Sequence, residues 1–383
     1  MEMTMVKPET RVFNIHKDYG LNEAKKLGLF EWRKPFVKRY VEEGFPRWKR
    51  LKLSQIPLND LKKYTGKYLD GNAKILESFS EAIQKGHVGK FPKMGYDGAH
   101  KKFTLMSYAF FNAGFFIESS GESKIYAHYT LDSNPVIIEN SLVIVKSGSE
   151  LTVVREIDGT GKLRVSTTNF VVEEGAKLNF FNVLIAPKTP ISVDSNVYVV
   201  GNNAQVETYD VILGGDKTAV NHEIRLEGVN AKASLFSFYF TTGQERADLE
   251  CKLIHKAPKT TGYLEGNGVV KENSYVVFRG NIWIPSDAYG VESREKSHSV
   301  NLSPTARVDA IPSLSVRNNM VTAEHGASMG SLDEKKLYYM MSRGMDKHTA
   351  VRLILEGVFE PLMNAIPMKS VKRSVKNGLF SRI

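Results

Sequence analysis

Cysteine is almost absent from this sequence, since only Cys251 among its 383 residues carries a thiol. One cysteine excludes an intramolecular disulfide, a thiolate metal cage and a CxxC redox pair within one chain, and it gives no indication of an oxidising compartment. Long hydrophobic runs are also missing, because no apolar stretch approaches the roughly 18 residues that a membrane span requires. The first residues carry charges where a signal peptide needs its apolar stretch. We therefore expect a cytoplasmic protein without a membrane partner.

Acidic residues are missing from one basic segment of the chain and are few in another. The formal net charge is +10, yet segment 22–52 has ten basic and four acidic residues, and segment 366–383 has five basic and no acidic residues. Basic segments of this kind are more often solvated helix faces than nucleic-acid surfaces. The sequence contains no RNP, helix-turn-helix or zinc-finger pattern, so we expect no nucleic-acid partner.

Composition divides the chain into three zones. Residues 1–95 favour helices, because apolar residues within 36–41 and within 72–84 recur at helical spacing. Residues 96–327 form short runs of Val, Ile, Phe, Tyr and Thr broken by Gly, Asn and Asp, which is typical of strands and turns. We expect an N-terminal helical region followed by a β-core without helices.

The third zone, residues 328–383, returns to helical spacing. Ser331 and Glu334 stand as in a capping box and predict a helix start. Asp346 or Thr349 is the expected cap of a second helix. The tail places four basic residues on one face if it is helical, namely Lys369, Lys372, Arg373 and Lys376.

A repeat of 27 or 28 residues runs through the strand zone. Its apolar anchors are Leu151, Leu178, Val206 and Ala233. Three residues before each anchor stands a turn residue: Gly148, Gly175, Asn203 and Asn230. Seven residues before each anchor stands a second aliphatic residue: Ile144, Val171, Val199 and Leu226. Gly and Asn best tolerate the left-handed backbone of a tight corner.

A fixed period of this length indicates one unit stacked on its neighbours. The leucine-rich signature is absent, and the β-branched content excludes helical repeats. We therefore predict a mainly β fold, a right-handed parallel β-helix core with N-terminal and C-terminal α-helical regions. The alternative is a β-sandwich in which the three repeated positions coincide by chance.

Motifs for catalysis are also missing. The sequence has no phosphate-binding GxxxxGK[ST] loop and no HExxH pair. The segment 326–330 matches G-x-S-x-G, but the helical pattern and single histidine after it do not suit a hydrolase. A β-helix carbohydrate enzyme remains an alternative, yet no ladder of Asp or Glu follows the repeat. We expect a protein that is not an enzyme.

Histidine and cysteine are the remaining candidates for chemistry. Cys251 alternates with apolar neighbours, so a small buried side chain on a strand is expected. His255 and His325 stand beside turn-prone residues. Each is expected either to hydrogen-bond a corner of the coil or to ligate iron, and both interpretations remain open.

An ordered series of short segments resembles one protein family. The segments are His255-Lys-Ala-Pro258, Val277-Phe-Arg-Gly280, Ala306-Arg-Val-Asp-Ala-Ile-Pro312, Glu324-His-Gly-Ala-Ser-Met-Gly330, Leu337-Tyr-Tyr339 and Ser342-Arg-Gly344. The series resembles the SufB/SufD family, the β-helix subunits of the SUF iron–sulfur cluster assembly complex. It is strong and collinear from about 200 to 365 and weaker before that.

The resemblance is closer to SufD than to SufB. SufB has a cysteine in the segment aligned with 294–302, where this chain has Ser297 and His298, and it has His-Glu where this chain has His325 and Gly326. Because clusters are held mainly by thiolates, the resemblance implies no stably bound cofactor, only a transient iron–sulfur cluster in the complex. The implied residues for cluster assembly or metal ligation are His325, Glu324 and His298.

The resemblance also implies partners. A SufC-type ATPase is expected on the C-terminal helices, with candidate contacts at Tyr338, Tyr339, Met341, Arg343 and Gly344. Core packing of the same tyrosines is the alternative. A SufB-type subunit or a second copy is expected to pair with the β-helix as a dimer. A SufB-like homodimeric scaffold using His325, His298, Glu324 and Cys251 is the alternative function.

Overall fold

α-Helices flank a long series of strands in the computed structural model, which describes residues 19–46, 48, 50–53, 61–66, 68–90, 97–132, 134–185 and 189–383. The α-helices of the described residues are α1 (Leu21–Lys26), α2 (Phe30–Glu42), α3 (Phe79–Gln84), α4 (Lys101–Phe110), α5 (Glu334–Ser342), α6 (Lys347–Ala365) and α7 (Lys369–Phe380). A short 3₁₀ helix covers His87–Lys90. No helix within these ranges combines the length and apolar character needed to cross a membrane.

The strands lie between α2 and α5. The early strands are β1 (Leu69–Asn72), β2 (Ile75–Ser78), β3 (Phe115–Ser119), β4 (Glu122–Thr130), β5 (Val136–Val145), β6 (Glu150–Asp158), β7 (Leu163–Val172), β8 (Lys177–Ile185) and β9 (Ile191–Val200). The later strands are β10 (Gln205–Ile212), β11 (Lys217–Leu226), β12 (Lys232–Thr241), β13 (Arg246–His255), β14 (Thr261–Val270), β15 (Tyr275–Ile284), β16 (Val291–Asn301), β17 (Arg307–Ala310), β18 (Ser313–Val316) and β19 (Val321–Ser331).

Successive strands alternate between two sheets. Sheet A has the order β1-β4-β6-β8-β10-β12-β14-β16-β19, and sheet B has the order β17-β15-β13-β11-β9-β7-β5-β3-β2, with β18 also paired to β15. Pairing is parallel except where β1 meets β4 and β2 meets β3. The chain thus winds about 8 turns of a parallel β-solenoid. The predicted mainly β fold is confirmed, with 46% strand and 23% helix.

The repeat anchors stack directly on one another. Leu178 pairs with Leu151 on one side and with Val206 on the other, and Val206 pairs with Ala233. All four turn residues have left-handed backbone, with φ of 68° at Gly148, 66° at Gly175, 54° at Asn203 and 58° at Asn230. The predicted corner role of these four residues is confirmed.

The second aliphatic set stays in register for three of its four members, Ile144, Val171 and Val199, but these three do not fill the coil interior. The side chains that fill the interior are Val145, Val172, Val200 and Leu226. Ile144 is buried outside the coil, where Val171 packs beside it, and Leu226 pairs with Val200 rather than with Val199. The corner after β11 is one residue longer than the corner after β9, so the seven-residue spacing reaches the other strand face at Leu226.

Two helical assignments also need correction. Only Phe79–Gln84 of the predicted helix 72–84 is helical, because Ile75–Ser78 instead pairs antiparallel with β3. α4 lies inside the zone expected to be free of helices. The α2 prediction is confirmed, with the helix ending at Glu42. The boundary at residue 95 stays a prediction.

The C-terminal helices are confirmed, with one different cap. Asp333, not Ser331, caps α5, because β19 extends to Ser331. Asp346 accepts from the backbone N–H of Thr349 and caps α6. The basic tail forms α7, as predicted.

Helices cover both outer faces of the solenoid. Helices α1, α2 and α4 pack on sheet B over apolar residues such as Val165 and Val193. Helices α6 and α7 pack on sheet A, where Phe359 and Val375 meet Phe238 and Phe240. Both helical regions are therefore parts of the same hydrophobic structure as the coil.

Candidate functional site

Strand β19 ends sheet A and is paired along one edge only among the described residues. It is one of the longest strands, and most of its residues are exposed. An unpaired edge offers a row of free N–H and C=O groups to another strand. We therefore take this end of the solenoid as the candidate site.

The two faces of β19 carry different chemistry because strand side chains alternate. Val321 and Ala323 pack against the interior cluster, so His325 shares the interior side. On the outer side stand Glu324, Gly326, Ser328 and Gly330. The parallel register places His325 beside Glu295 of β16.

The three predicted cluster residues are not brought together. Glu324 makes an ion pair with Arg294 on the outer face of sheet A. His298 Nδ1 lies 2.9 Å from Ser328 Oγ on the same outer face. His325 points to the opposite side of the sheet. Neighbouring residues of one strand cannot share a face, so Glu324 and His325 are separated by the strand itself.

The donors near His325 are few. Glu295, its register neighbour, is 2% exposed, and burial raises the pKa of the Glu295 carboxyl to about 7. Within the described ranges, no three His, Cys, Asp or Glu side chains converge as a metal-ligand set. Clusters are held mainly by thiolates, so one imidazole and one carboxyl of this chain do not by themselves make a cluster site.

Cys251 lies inside the coil on β13 of sheet B, not on the edge strand β19. Its side chain belongs to the interior cluster of the coil, as the sequence predicted for a small buried residue. Burial, with Asp210 and Glu295 as smaller causes, raises the pKa of the Cys251 thiol well above its ordinary value. Since the thiolate is the metal-binding form, the environment of Cys251 disfavours ligation.

His255 fulfils the structural interpretation given for it. Its Nδ1 lies 2.7 Å from Thr260 Oγ1, and its Nε2 lies 3.1 Å from Ser293 Oγ. Burial lowers the pKa of His255 to about 4. The neutral ring therefore fixes a corner of the coil.

Helix α5 presents an exposed apolar surface directly after β19. Tyr338 is 75% exposed, Tyr339 58% and Met341 42%, so the core-packing alternative for the tyrosines is wrong. The guanidinium of Arg343 lies 5.2 Å from the Tyr339 ring centre. Gly344 follows with φ of 90° and ends the helix segment.

Two residues of this end were missed by sequence reasoning. Met320 and Met329 are exposed beside the free edge. No sequence signal distinguished them, because methionine is one of the residue types most often buried. The G-x-S-x-G segment lies within β19 and has no strand-to-helix elbow, so the match is accidental as expected.

The fold and this end define a class: a two-sheet parallel β-solenoid with helices on both outer faces and a free terminal strand. Residues 128–358 match the SUF system FeS cluster assembly SufBD core domain. Because this match covers more than half of the chain, the chain belongs to the SufBD family.

Curated relatives agree with this family. The chain is similar to an iron–sulfur cluster assembly SufBD family protein of Staphylococcus saprophyticus, with 26% identity over 280 residues, which is 71% of this chain and 60% of the relative. A Staphylococcus aureus USA300 relative of the same description is 26% identical over 314 residues, 79% of this chain and 68% of the relative. The chain thus spans about 60% of the length of the Staphylococcus saprophyticus relative.

Proposed function

We propose that this chain is a SufD-like, non-enzymatic subunit of a SUF-type scaffold complex that assembles iron–sulfur clusters in the cytoplasm. The observation that carries the proposal is the free edge of β19, which holds His325 on its interior side with no cysteine beside it. The iron–sulfur cluster is cargo in this proposal. Its thiolate ligands come from another subunit, because Cys251 is buried.

Pairing through β19 follows from the same observation. The partner is a SufB-type subunit or a second copy of this chain, whose own edge strand continues sheet A across the junction. His325 then lies on the interior side of the joined sheet, next to the junction, and contributes an imidazole to a shared site. This arrangement supplies from two chains the ligands that one chain lacks.

His325 is tested by a substitution that leaves the edge unchanged. His325→Ala is expected to lower cluster yield in the reconstituted complex several-fold while subunit assembly, followed by size-exclusion chromatography, stays intact. His348→Ala is the matched control, because His348 is an exposed histidine on α6 and not on the strands of this end. Full cluster yield from His325→Ala contradicts the assigned role.

Helix α5 is the proposed docking surface for a SufC-type ATPase. Tyr338, Tyr339 and Met341 form an apolar patch with Arg343 at its rim, and exposed aromatic and Arg side chains are typical anchors of protein interfaces. The ATPase brings the nucleotide chemistry for which this chain has no phosphate-binding loop.

The docking surface is tested by point substitutions rather than by deletion. Removing residues 328–383 also strips α6 and α7 from sheet A and exposes its core. Tyr338→Ala with Tyr339→Ala is expected to lower ATPase capture in a pull-down at least ten-fold, since each anchor contributes about 1–2 kcal/mol. Tyr289→Ala, also exposed but distant in sequence, is the control. Unchanged capture by the double variant refutes docking at α5.

A further inference from the structure

The outer face of sheet A carries a cationic row next to its free edge. Arg294, Lys296 and His298 alternate along β16, and all three side chains point outward. Arg294 is neutralised by Glu324 of β19. Lys296 is not: among the described residues, no carboxylate lies within ion-pair distance of its ammonium group.

Lys296 and His298 line a groove of about 350 Å³. Glu265, also in the groove, is the register neighbour of Lys296 on β14, and its carboxylate accepts a hydrogen bond from Asn267 Nδ2 at 2.8 Å. The groove is open toward the edge because its β19 side is made by Gly326 and Ser328. A Cβ added at Gly326 would meet no atom within 4 Å.

Glu324 is the one charged side chain on the outer side of β19. A two-fold axis perpendicular to the sheet keeps the outer faces of two antiparallel edge strands on the same side. If that axis passes at His325, the second copy's Glu324 lies opposite Gly326. If the axis passes at Gly326, the second copy's Glu324 lies opposite Ser328. In both registers the second copy's Glu324 carboxylate extends toward the cationic row across a residue with no side chain, Gly326, or with a short one, Ser328.

We propose that Glu324 of each copy enters the Lys296–His298 groove of the other when two copies of this chain pair through β19. The contact rests on the edge pairing of the proposed function and identifies its occupant as a second copy. It is made twice, as an isologous interface requires. The register places Lys296 between Glu265 of its own chain and the edge strand, so its ammonium lies between that carboxylate and the one that the second copy supplies.

A charge exchange tests the proposal. Sedimentation equilibrium of the full chain in low-salt buffer is compared for wild type, Glu324→Lys, Lys296→Glu and the double variant. Each single variant is expected to raise the dimer dissociation constant about ten-fold, since close charge pairs couple strongly across interfaces. The double variant restores opposite charges and is expected to recover most of that loss.

Two controls separate the contact from local effects. Glu292→Lys reverses an exposed charge on the same strand outside the groove and is expected to leave dimerisation unchanged. Arg294→Gln removes the ion pair within one chain without altering Lys296. Thermal unfolding verifies that each variant is folded.

The outcomes distinguish the contact from the pairing on which it rests. A wild-type dimer that is insensitive to both single variants overturns the Glu324 contact and leaves the edge pairing standing. The contact is also overturned if the double variant raises the dimer dissociation constant by as much as the two single variants combined. If the wild type stays monomeric at all concentrations, both the pairing with a second copy and the Glu324 contact are overturned. The His325 test with a SufB-type partner is then unaffected.

Discussion

At the scale of single residues, the pKa values of two histidines are shifted in opposite directions for separate physical reasons. Burial lowers the pKa of His255 from 6.5 to about 4, because the charged ring loses its hydration there. The hydrogen bond that His128 donates to Asp158 raises the pKa of His128 above 6.5, and the Asp158 charge adds to the effect. His128 Nε2 lies 2.9 Å from Asp158 Oδ2.

These shifts fix the sign of two pH dependences. Above pH 6.5 His255 is neutral in both the folded and the unfolded chain, so its burial does not make stability depend on pH. Between about pH 6.5 and 4 the unfolded chain binds a proton that the folded chain refuses, so stability falls on acidification. The His128 contribution is complete below pH 6.5 and is lost as pH rises through its raised pKa.

We expect His255→Gln to remove part of the loss of stability between pH 6.5 and 4.5, a slope of roughly 1 kcal/mol per pH unit. His128→Gln is expected to remove a loss that occurs above pH 6.5. Urea unfolding at a series of pH values measures both. Parallel pH curves for wild type and the His255 variant contradict the assignment.

At the scale of elements, each coil corner depends on one left-handed residue. Gly175 has φ of 66° and no atom closer than 4.0 Å to an added Cβ. A substitution there is therefore governed by backbone conformation rather than by collision. Asn occupies the equivalent corner at Asn203 with φ of 54°.

Gly175→Ala is expected to lower the free energy of unfolding by about 1–2 kcal/mol, the cost of a left-handed L-residue. Gly175→Asn is expected to cost less, because Asn tolerates this conformation. Gly357→Ala within α6, where an added Cβ meets no atom within 4 Å, is expected to raise the free energy of unfolding by about 0.5–1 kcal/mol. Denaturant titration compares the three, and equal effects of Ala and Asn at 175 disprove the corner argument.

Elements were predictable where local chemistry agreed with the fold. Periodic Gly and Asn marked the corners, since backbone conformation is a local property. The helix prediction over 72–84 was half wrong because Ile75 suits either element, and pairing with β3 decided it. The separation of Glu324 from His325 had a usable signal, namely strand alternation, once 321–331 is recognised as a strand rather than a turn.

At the scale of the whole molecule, the coil interior contains buried charges. Arg155 donates to Glu139 Oε1 at 3.1 Å and to Asp194 Oδ1 at 2.9 Å. Arg164 donates to Asp194 Oδ2 at 2.7 Å. Burial by itself raises the pKa of Asp194. The charges of Arg155 and Arg164 lower it by more than burial raises it, so the pKa of Asp194 lies below its usual value. The network joins strands of both sheets across several turns.

Removing one member leaves the others uncompensated. Arg155→Met is expected to lower the free energy of unfolding by about 3–5 kcal/mol, because Glu139 and Asp194 stay buried. Lys74→Met, which breaks the exposed Lys74–Glu118 pair at 2.9 Å, is expected to cost about 0–1 kcal/mol. Urea unfolding measures both. Similar costs for the two variants contradict a coupled interior network.

The sequence by itself determined the period of the coil, the corners that close it, the helices that follow it and the scarcity of thiols. Each of these is local composition or spacing. Only the tertiary structure decided which side of β19 faces the interior, that Tyr338 and Tyr339 remain exposed, and that Lys296 has no ion-pair partner among the described residues. These depend on strand register and on what covers each face, and distant segments of the chain set both.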